Sequence, residues 1–353
     1  MQTEHAGRWP AERAHAWYDA QPWIVGCNYI PATAVNQLEM WQAETFDPVT
    51  IERELGWART LGFNTLRVFL HDLLWAAGPD AFAKRIDAFL AIAARHGIRA
   101  MFVLFDDCWH EDAVLGPQPP PVPGRHNSRW LQSPGHSVVA DPTALPRLRD
   151  YVQGVVRAFA DDDRVLMWDL YNEVTNGFLT GLGGGEGERD AAARAAWERR
   201  RAQMPHHLRL LDAAFAWARE VAPSQPLSAG LWFPDRDLNA RLAALSDVIT
   251  FHTYESAERS AHLIERLRGH GRPIICTEYM ARTQGCDFRS LLPLFKRERV
   301  GAINWGLVNG KTQTHIAWTG EDHVWFHDIF HRDGTPYDVA EVDFIRRVTG
   351  AAE

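Results

Sequence analysis

The stretch Val165-Leu166-Met167-Trp168-Asp169-Leu170-Tyr171-Asn172-Glu173 opens as an apolar run with a β-branched head and ends in an amide beside a carboxylate. Its length and composition fit a strand buried on both faces, as in a parallel sheet. A second stretch, Pro273-Ile274-Ile275-Cys276-Thr277-Glu278-Tyr279, follows the same plan. Each strand delivers one glutamate to its C-terminal end. In a closed parallel barrel both carboxylates would arrive at one face, the face where such barrels keep their chemistry.

Working outward, the same apolar strand signal recurs at 23–28, 65–70, 99–105, 226–231, 248–252 and 302–305. Between these runs the apolar residues fall at helical spacing. One example is 50–61, with Ile51, Leu55, Ala58 and Leu61 on one face and Gly62 closing it. Others are 80–96, 145–159, 205–221, 235–245, 257–269 and 288–297, with a further helical segment at 189–201 and a closing helix at 339–348. Eight strands alternating with helices imply a parallel sheet with right-handed crossovers. The expected fold is one (β/α)8 barrel spanning 1–353, with 1–20 as an N-terminal extension. A doubly wound open sheet is disfavoured because no glycine-rich phosphate fingerprint follows the first strand.

Two connections are long. The first, 110–140, contains the stiff segment Gln118-Pro119-Pro120-Pro121-Val122-Pro123-Gly124, together with His126, Asn127 and Trp130. The second, 174–188, carries Gly181, Gly183, Gly184, Gly185 and Gly187 and reads as a mobile lid. Loops of this length in compact domains usually serve function.

The 353 residues carry 37 Lys and Arg against 45 Asp and Glu, a formal charge of −8. No basic footprint for nucleic acid or an acidic membrane results, and no apolar run is long enough to span a bilayer. The segment 1–13 is polar and lacks the apolar core of a secretory signal, so a cytoplasmic location is expected. Cys27, Cys108, Cys276 and Cys286 show no paired spacing, and reduced thiols are expected. Of 15 tryptophans, Trp41, Trp75, Trp109, Trp130, Trp232 and Trp318 fall in expected loops. There an indole face suits either ordinary packing or the apolar face of a sugar ring.

The strand ends carry polar and aromatic groups around the whole barrel. They are Asn28; Arg67 with His71; Asp106 and Asp107, followed by Trp109; Asn172 with Glu173; His252 with Tyr254; Glu278; and Trp305. Two glutamates among aromatics suit cleavage of a glycosidic bond, which needs an ionised nucleophile and a protonated acid. Arg67 and Tyr254 are the donors suited to hold Glu278 ionised, and Glu278 the negative neighbour that keeps Glu173 protonated.

In this order on these strands, the residues resemble clan A of the retaining glycoside hydrolases, and most closely family 5, the cellulase-like family. The resemblance runs from about Trp23 to Trp305. It rests on Asn172-Glu173 ending strand four, Glu278 ending strand seven, Arg67 on strand two, His252-Thr253-Tyr254 after strand six and Trp305 ending strand eight. It implies Glu173 as acid/base, Glu278 as nucleophile, Asn172 on the sugar 2-hydroxyl, Tyr254 holding the nucleophile and Trp305 flooring the subsite of the cleaved sugar. Asp106-Asp107 stands where that family usually has a histidine, and Val174 replaces a frequent proline.

The expected activity is retaining hydrolysis of a β-linked oligosaccharide, polysaccharide or glycoside of glucan, mannan or xylan type, with a carbohydrate as the partner and no cofactor. A transglycosylase using the same two glutamates and a catalytically silent carbohydrate-binding barrel are the alternatives. Substrate contacts are expected from Asn28, Arg67, His71, Asp106, Asp107, Trp109, Asn172, His252, Tyr254, Trp305 and Lys311. Lys311 belongs to the segment Asn309-Gly310-Lys311-Thr312-Gln313-Thr314-His315 after the last strand. His323, His327 and His331 share four-residue spacing, but Val324-Trp325-Phe326 and the Asp333-Gly334 turn argue against a helix, and no metal site is expected there.

Overall fold

The computed structural model describes residues 7–179, 186–321 and 323–351, with the backbone alone for 186–190. In chain order the elements are α1 (Ala11–Asp19), β1 (Val25–Asn28), α2 (Gln37–Trp41), α3 (Pro48–Thr60), β2 (Thr65–Phe69), α4 (Asp72–Ala77), α5 (Pro79–Arg95), β3 (Arg99–Asp106), α6 (His136–Ala140), α7 (Leu145–Ala158) and β4 (Val165–Asn172). There follow α8 (Glu186–Val221), β5 (Leu227–Ser228), α9 (Arg236–Leu245), β6 (Ile249–His252), α10 (Ala257–Arg268), β7 (Ile274–Glu278), α11 (Phe288–Arg297), β8 (Gly301–Trp305) and α12 (Val339–Thr349).

All ladder pairings are parallel, in the order β5-β4-β3-β2-β1-β8-β7-β6. The seam between β5 and β6 is drawn together by a single bridge, Leu231 to Phe251, and by a 2.7 Å bond between the Ser228 and Thr250 hydroxyls. The result is a nearly closed (β/α)8 barrel, as the alternation of strand and helix signals requires. Among the described residues no helix is long and apolar enough to cross a membrane.

The barrel interior is layered. Ile24, Met101, Leu166, Met167, Val248, Ile275 and Ile303 fill its lower part, with Trp17 and Tyr18 of α1 packed against them. The N-terminal extension is thus a floor to the barrel. The outer faces of the strands bury against the helices in a larger apolar cluster. Phe69, Val103, Cys108, Trp130 and Trp305 form a third cluster at the C-terminal face.

Several local expectations are corrected. The segments 189–201 and 205–221 form one 36-residue helix that runs through Pro205. A proline inside a helix costs one hydrogen bond and a clash with the preceding turn, which the packing of Leu210, Leu211, Ala214, Phe215 and Ala218 in the core offsets. The strand expected at 226–231 keeps ladder pairing only at Leu227–Ser228. Of the glycine-rich lid, 181 and 183–185 lie outside the described residues, and Gly187 belongs to the first turn of α8. Trp41 and Trp75 are core residues, their indole N–H groups donating to the Phe69 carbonyl at 2.8 Å and to Asp150 at 2.9 Å. The four cysteines are unpaired and buried.

Candidate active site

Arg67 is the centre of the upper barrel. It projects from β2 into the interior and is fully buried. A buried guanidinium must satisfy its N–H groups and its charge. Nε and Nη2 donate to Asp169 Oδ2 at 3.0 and 2.7 Å, Nη1 to Asn28 Oδ1 at 2.9 Å and Glu278 Oε1 at 2.7 Å, and Nη2 to Asn172 Oδ1 at 2.6 Å. One cation therefore orders residues from three other strands, β1, β4 and β7. Asn28 completes the support by donating to the carbonyls of Thr277 and Asn304 at 2.8 and 3.1 Å.

Glu278 accepts from Arg67 and, at 2.8 Å, from the Tyr254 hydroxyl. Burial and the carboxylates nearby push the Tyr254 hydroxyl well above its ordinary range, so it remains a donor. Glu173 has a different shell. Its Oε1 lies 2.7 Å from His252 Nδ1, and its Oε2 accepts from the Cys108 thiol at 3.3 Å and from the Asn176 amide. A Glu173 oxygen lies within 4.8 Å of a Glu278 oxygen, with His252 between them.

Burial pushes both carboxyls upward. The opposition to burial is unequal, because only Glu278 receives a direct cation hydrogen bond. Arg67 is already balanced by Asp169 and Glu278, so a third charge on Glu173 would go uncompensated. The direct cation bond favours the charge on Glu278 and the proton on Glu173, the pattern expected of two close carboxyls in unequal surroundings, while the charge of Glu173 also works to raise Glu278. Burial pushes His252 down to about 4, so it joins the two glutamates as a neutral ring.

The backbone turns sharply to aim Glu173. It leaves β4 with φ +45°, and Thr175 follows at φ +70°. Such left-handed residues cost on the order of 1–3 kcal/mol each and persist where surrounding contacts impose them. Here the Thr175 N–H donates to Asp107 at 2.6 Å and the Gly177 N–H to the Asp107 carbonyl at 2.7 Å. A side chain at Gly177 would meet Gln132 at 2.1 Å and that carbonyl at 2.7 Å, so this turn sits down tightly on the end of β3.

The expected site residues divide into two sets. Trp109, Asn172, Glu173, Tyr254, Glu278 and Trp305 line one cavity of about 300 Å³, with Cys108, His126, Trp130 and Trp318; Arg67 and His252 lie against its two glutamates. The others are engaged elsewhere. Asp106 accepts from Trp130 Nε1 at 2.6 Å, Asn172 Nδ2 at 2.9 Å and the Cys108 N–H at 3.0 Å. Burial raises it to about 6. Asp107 accepts from the Tyr171 hydroxyl at 2.7 Å and faces His207 Nδ1 at 2.7 Å. Burial works against its charge, but His207 holds it below the usual carboxylate range. His71 caps α4, accepting from the Leu73 N–H at 3.3 Å, and Lys311 pairs with Glu39 at 2.6 Å. Asn172 spends one amide hydrogen on Asp106 and aims the other at Cys108 Sγ, 3.4 Å away.

Among the described residues two groups have ligand atoms close enough to bracket a metal ion: Asp107 with His136 and His207, and Glu173 with His252 and Glu278. In the first, both Asp107 oxygens are taken by the donors just named. It reads as a support for the Glu173 turn.

Sequence reasoning passed over Asp169 and Asn176, and gave Cys108 and His327 no place in the site. Asp169 carried a signal, since a carboxylate inside a buried strand demands a cation, and Arg67 was the candidate two strands away.

The connection after β3 and the segment after β8 meet over the cavity. Gln313 Nε2 donates to the carbonyls of Val122 and Arg125 at 2.7 and 3.0 Å, and its Oε1 accepts from the Gly124 N–H at 3.0 Å. The Asn127 N–H reaches the Thr312 carbonyl at 2.8 Å. On the far side of Glu173, an open groove of about 960 Å³ passes Asn176, Trp232 and Phe233 and runs between α9 and α10.

No family model matches the chain, and no curated protein matches it in sequence. Its structure does find relatives. An exo-β-1,4-mannosidase from an Opitutaceae bacterium, strain TAV5, is 18% identical, with a TM-score of 0.60 over 99% of this chain and 62% of that one. An endo-β-1,4-mannanase from Thermotoga petrophila is 14% identical, with a TM-score of 0.58 over 94% and 77%. A GH5_18 protein from Streptomyces cattleya in complex with Manβ1-4GlcNAc is 15% identical, with a TM-score of 0.55 over 92% and 81%. The chain shares their fold. The resemblance read from the strand ends thus extends to the architecture, and the chain spans less than two thirds of the mannosidase's length.

Proposed function

We propose that the protein is a retaining β-glycosidase that removes one sugar at a time from the end of a short β-linked chain or glycoside. The observation that carries this reading is the pair of carboxyls with facing oxygens within 4.8 Å of each other, one held by a cation and the other without one. Retaining enzymes keep their carboxyls about 5–5.5 Å apart, and inverting enzymes roughly 6.5–9.5 Å. Glu278 attacks the anomeric carbon and forms a glycosyl ester, while Glu173 gives its proton to the departing oxygen. Water then enters, Glu173 takes a proton from it, and the ester opens with net retention.

Glu173 and Tyr254 stand where the cavity meets the groove, since both line each of them. That position suits protonation of a leaving group that extends into the groove. The hydrogen bonds joining 122–127 to 312–313 wall the other side, which favours attack at a chain end. The mannosidase, the mannanase and the Manβ1-4GlcNAc complex put β-mannosides first among substrates to try. A sugar acceptor against Trp232 and Phe233 would turn the same chemistry into transglycosylation, and added acceptor tests that second outcome.

The experiment is digestion of reduced β-1,4-mannopentaose and its gluco and xylo counterparts, with products followed by mass. Early release of monosaccharide and tetramer is expected. Early internal fragments would overturn the exo assignment.

A further inference from the structure

Two buried histidines line the cavity at the glutamate pair and take no part in the chemistry above. His126 comes from the connection after β3 and His327 from the segment after β8, with ring centroids 5.2 Å apart. Each ring is fixed at Nδ1. That of His126 lies 2.8 Å from the Ile316 carbonyl, and that of His327 contacts the Met280 carbonyl. A carbonyl can only accept, so Nδ1 carries the hydrogen in both rings. Burial pushes His126 down to about 4 and His327 well below the ordinary range. Both are therefore uncharged at neutral pH, and each has a bare lone pair on Nε2.

Among the described residues both rings hydrogen-bond through Nδ1 alone, and neither Nε2 is among the polar atoms sealed away from solvent without a partner, so both are open to the cavity. The surroundings are mostly aromatic. Trp109 stacks on His126 at 5.7 Å, while Trp318 and Tyr254 lie against His327 at 6.0 and 5.7 Å. The two Nε2 atoms are thus hydrogen-bond acceptors held on rigid rings beside apolar walls. In a cavity of this size their complement is a donor on the ligand, and a sugar hydroxyl is such a donor.

We propose that His126 and His327 are specificity residues that each accept a hydrogen bond through Nε2 from a hydroxyl of the sugar in this cavity. The proposal rests on the glycosidase reading. It selects a neutral, hydroxyl-bearing glycone over one whose hydroxyls are replaced by groups that only accept.

The test uses the full chain, the aryl β-glycoside it cleaves fastest, and that glycoside with each non-reacting ring hydroxyl replaced in turn by fluorine, which cannot donate. His126→Phe and His327→Phe are each expected to lower kcat/KM on the parent roughly tenfold to a hundredfold. The fluoro substrate that lacks the matching donor should lose about as much with wild type and little more with the variant. His→Gln at either position places an amide oxygen near the Nε2 site and should restore part of the loss. A variant that loses the same factor on every substrate, or loses nothing, overturns the proposal and leaves the glycosidase reading intact.

If no glycoside is cleaved, that reading fails, and a binding measurement still decides this one. Long-range ¹H–¹⁵N spectra of the full chain should show hydrogen on Nδ1 of both rings. Both Nε2 signals should move upfield on adding 4-nitrophenyl β-thiomannoside or β-thioglucoside. Hydrogen on Nε2, or no movement with either thioglycoside, overturns the proposal.

Discussion

Glu173 and Glu278 reach the same barrel face within 4.8 Å of each other, yet their surroundings have little in common. Glu278 sits in a fixed electrostatic frame of Arg67, Asp169 and Tyr254, all anchored on strands or just beyond one. Glu173 sits on a left-handed turn and is touched by a thiol, an amide and an imidazole, none of them a strong charge. Chemical identity is the same at both sites. The difference in proton affinity comes from what the barrel places beside each. On the proposed reading, the strand-borne cation suits Glu278 to act as nucleophile, and the cation-free buried turn suits Glu173 to act as acid.

The comparison can be broken most severely at the charged half. Glu278→Ala is expected to cost at least about 10⁴-fold in kcat, the order seen when a nucleophile is removed. Azide should restore turnover with the α-glycosyl azide as product. At the other half, Glu173→Ala should cost about 10²- to 10⁴-fold on glycosides with poor leaving groups, and much less on a dinitrophenyl glycoside, where azide gives the β-product. Equal losses with both leaving groups would mean that the two sites are not specialised as described.

A third change tests the frame itself. Asp169→Ala leaves the buried Arg67 charge with one carboxylate in place of two, and should lower stability by about 3–5 kcal/mol in denaturant unfolding. A loss under 1 kcal/mol would show that Arg67 does not depend on Asp169.

The smallest effect sharpens the other shell. Glu173 must be protonated when the bond breaks, and its proton affinity is raised by burial, so the basic limb of kcat/KM should lie above the ordinary carboxyl range. The Cys108 S–H donates to Glu173 and favours its charged form. Removing it in Cys108→Ala should raise the proton affinity further and move the basic limb up by a few tenths of a pH unit. The acid limb, which reports Glu278, should stay in place. Movement of the basic limb downward would contradict the assignment of Cys108 as a donor.

Much of this arrangement was legible in the sequence. A buried strand is a short apolar run, and a carboxylate at its end interrupts the run in a way that periodicity detects. That is why Glu173 and Glu278 stood out, and why the barrel followed from alternation. Other features depend on contacts between distant segments, which no local pattern encodes. Gln313 and the carbonyls of Val122 and Arg125 are nearly two hundred residues apart. His126 and His327 become a pair only when the connection after β3 meets the segment after β8. Trp41 and Trp75 looked like loop residues because short helices such as α2 and α4 leave too few turns for a periodic signal. Asp107 looked like a site residue because a strand-end carboxylate beneath a turn and one facing a cavity have the same local sequence.

The most direct test of the central claim is ¹H NMR of the first sugar released by wild type from an aryl β-glycoside, recorded before mutarotation. Two carboxyls this close, with Glu278 as nucleophile, require the β-anomer first. Initial release of the α-anomer would mean direct attack by water and would contradict the double displacement assigned to Glu173 and Glu278.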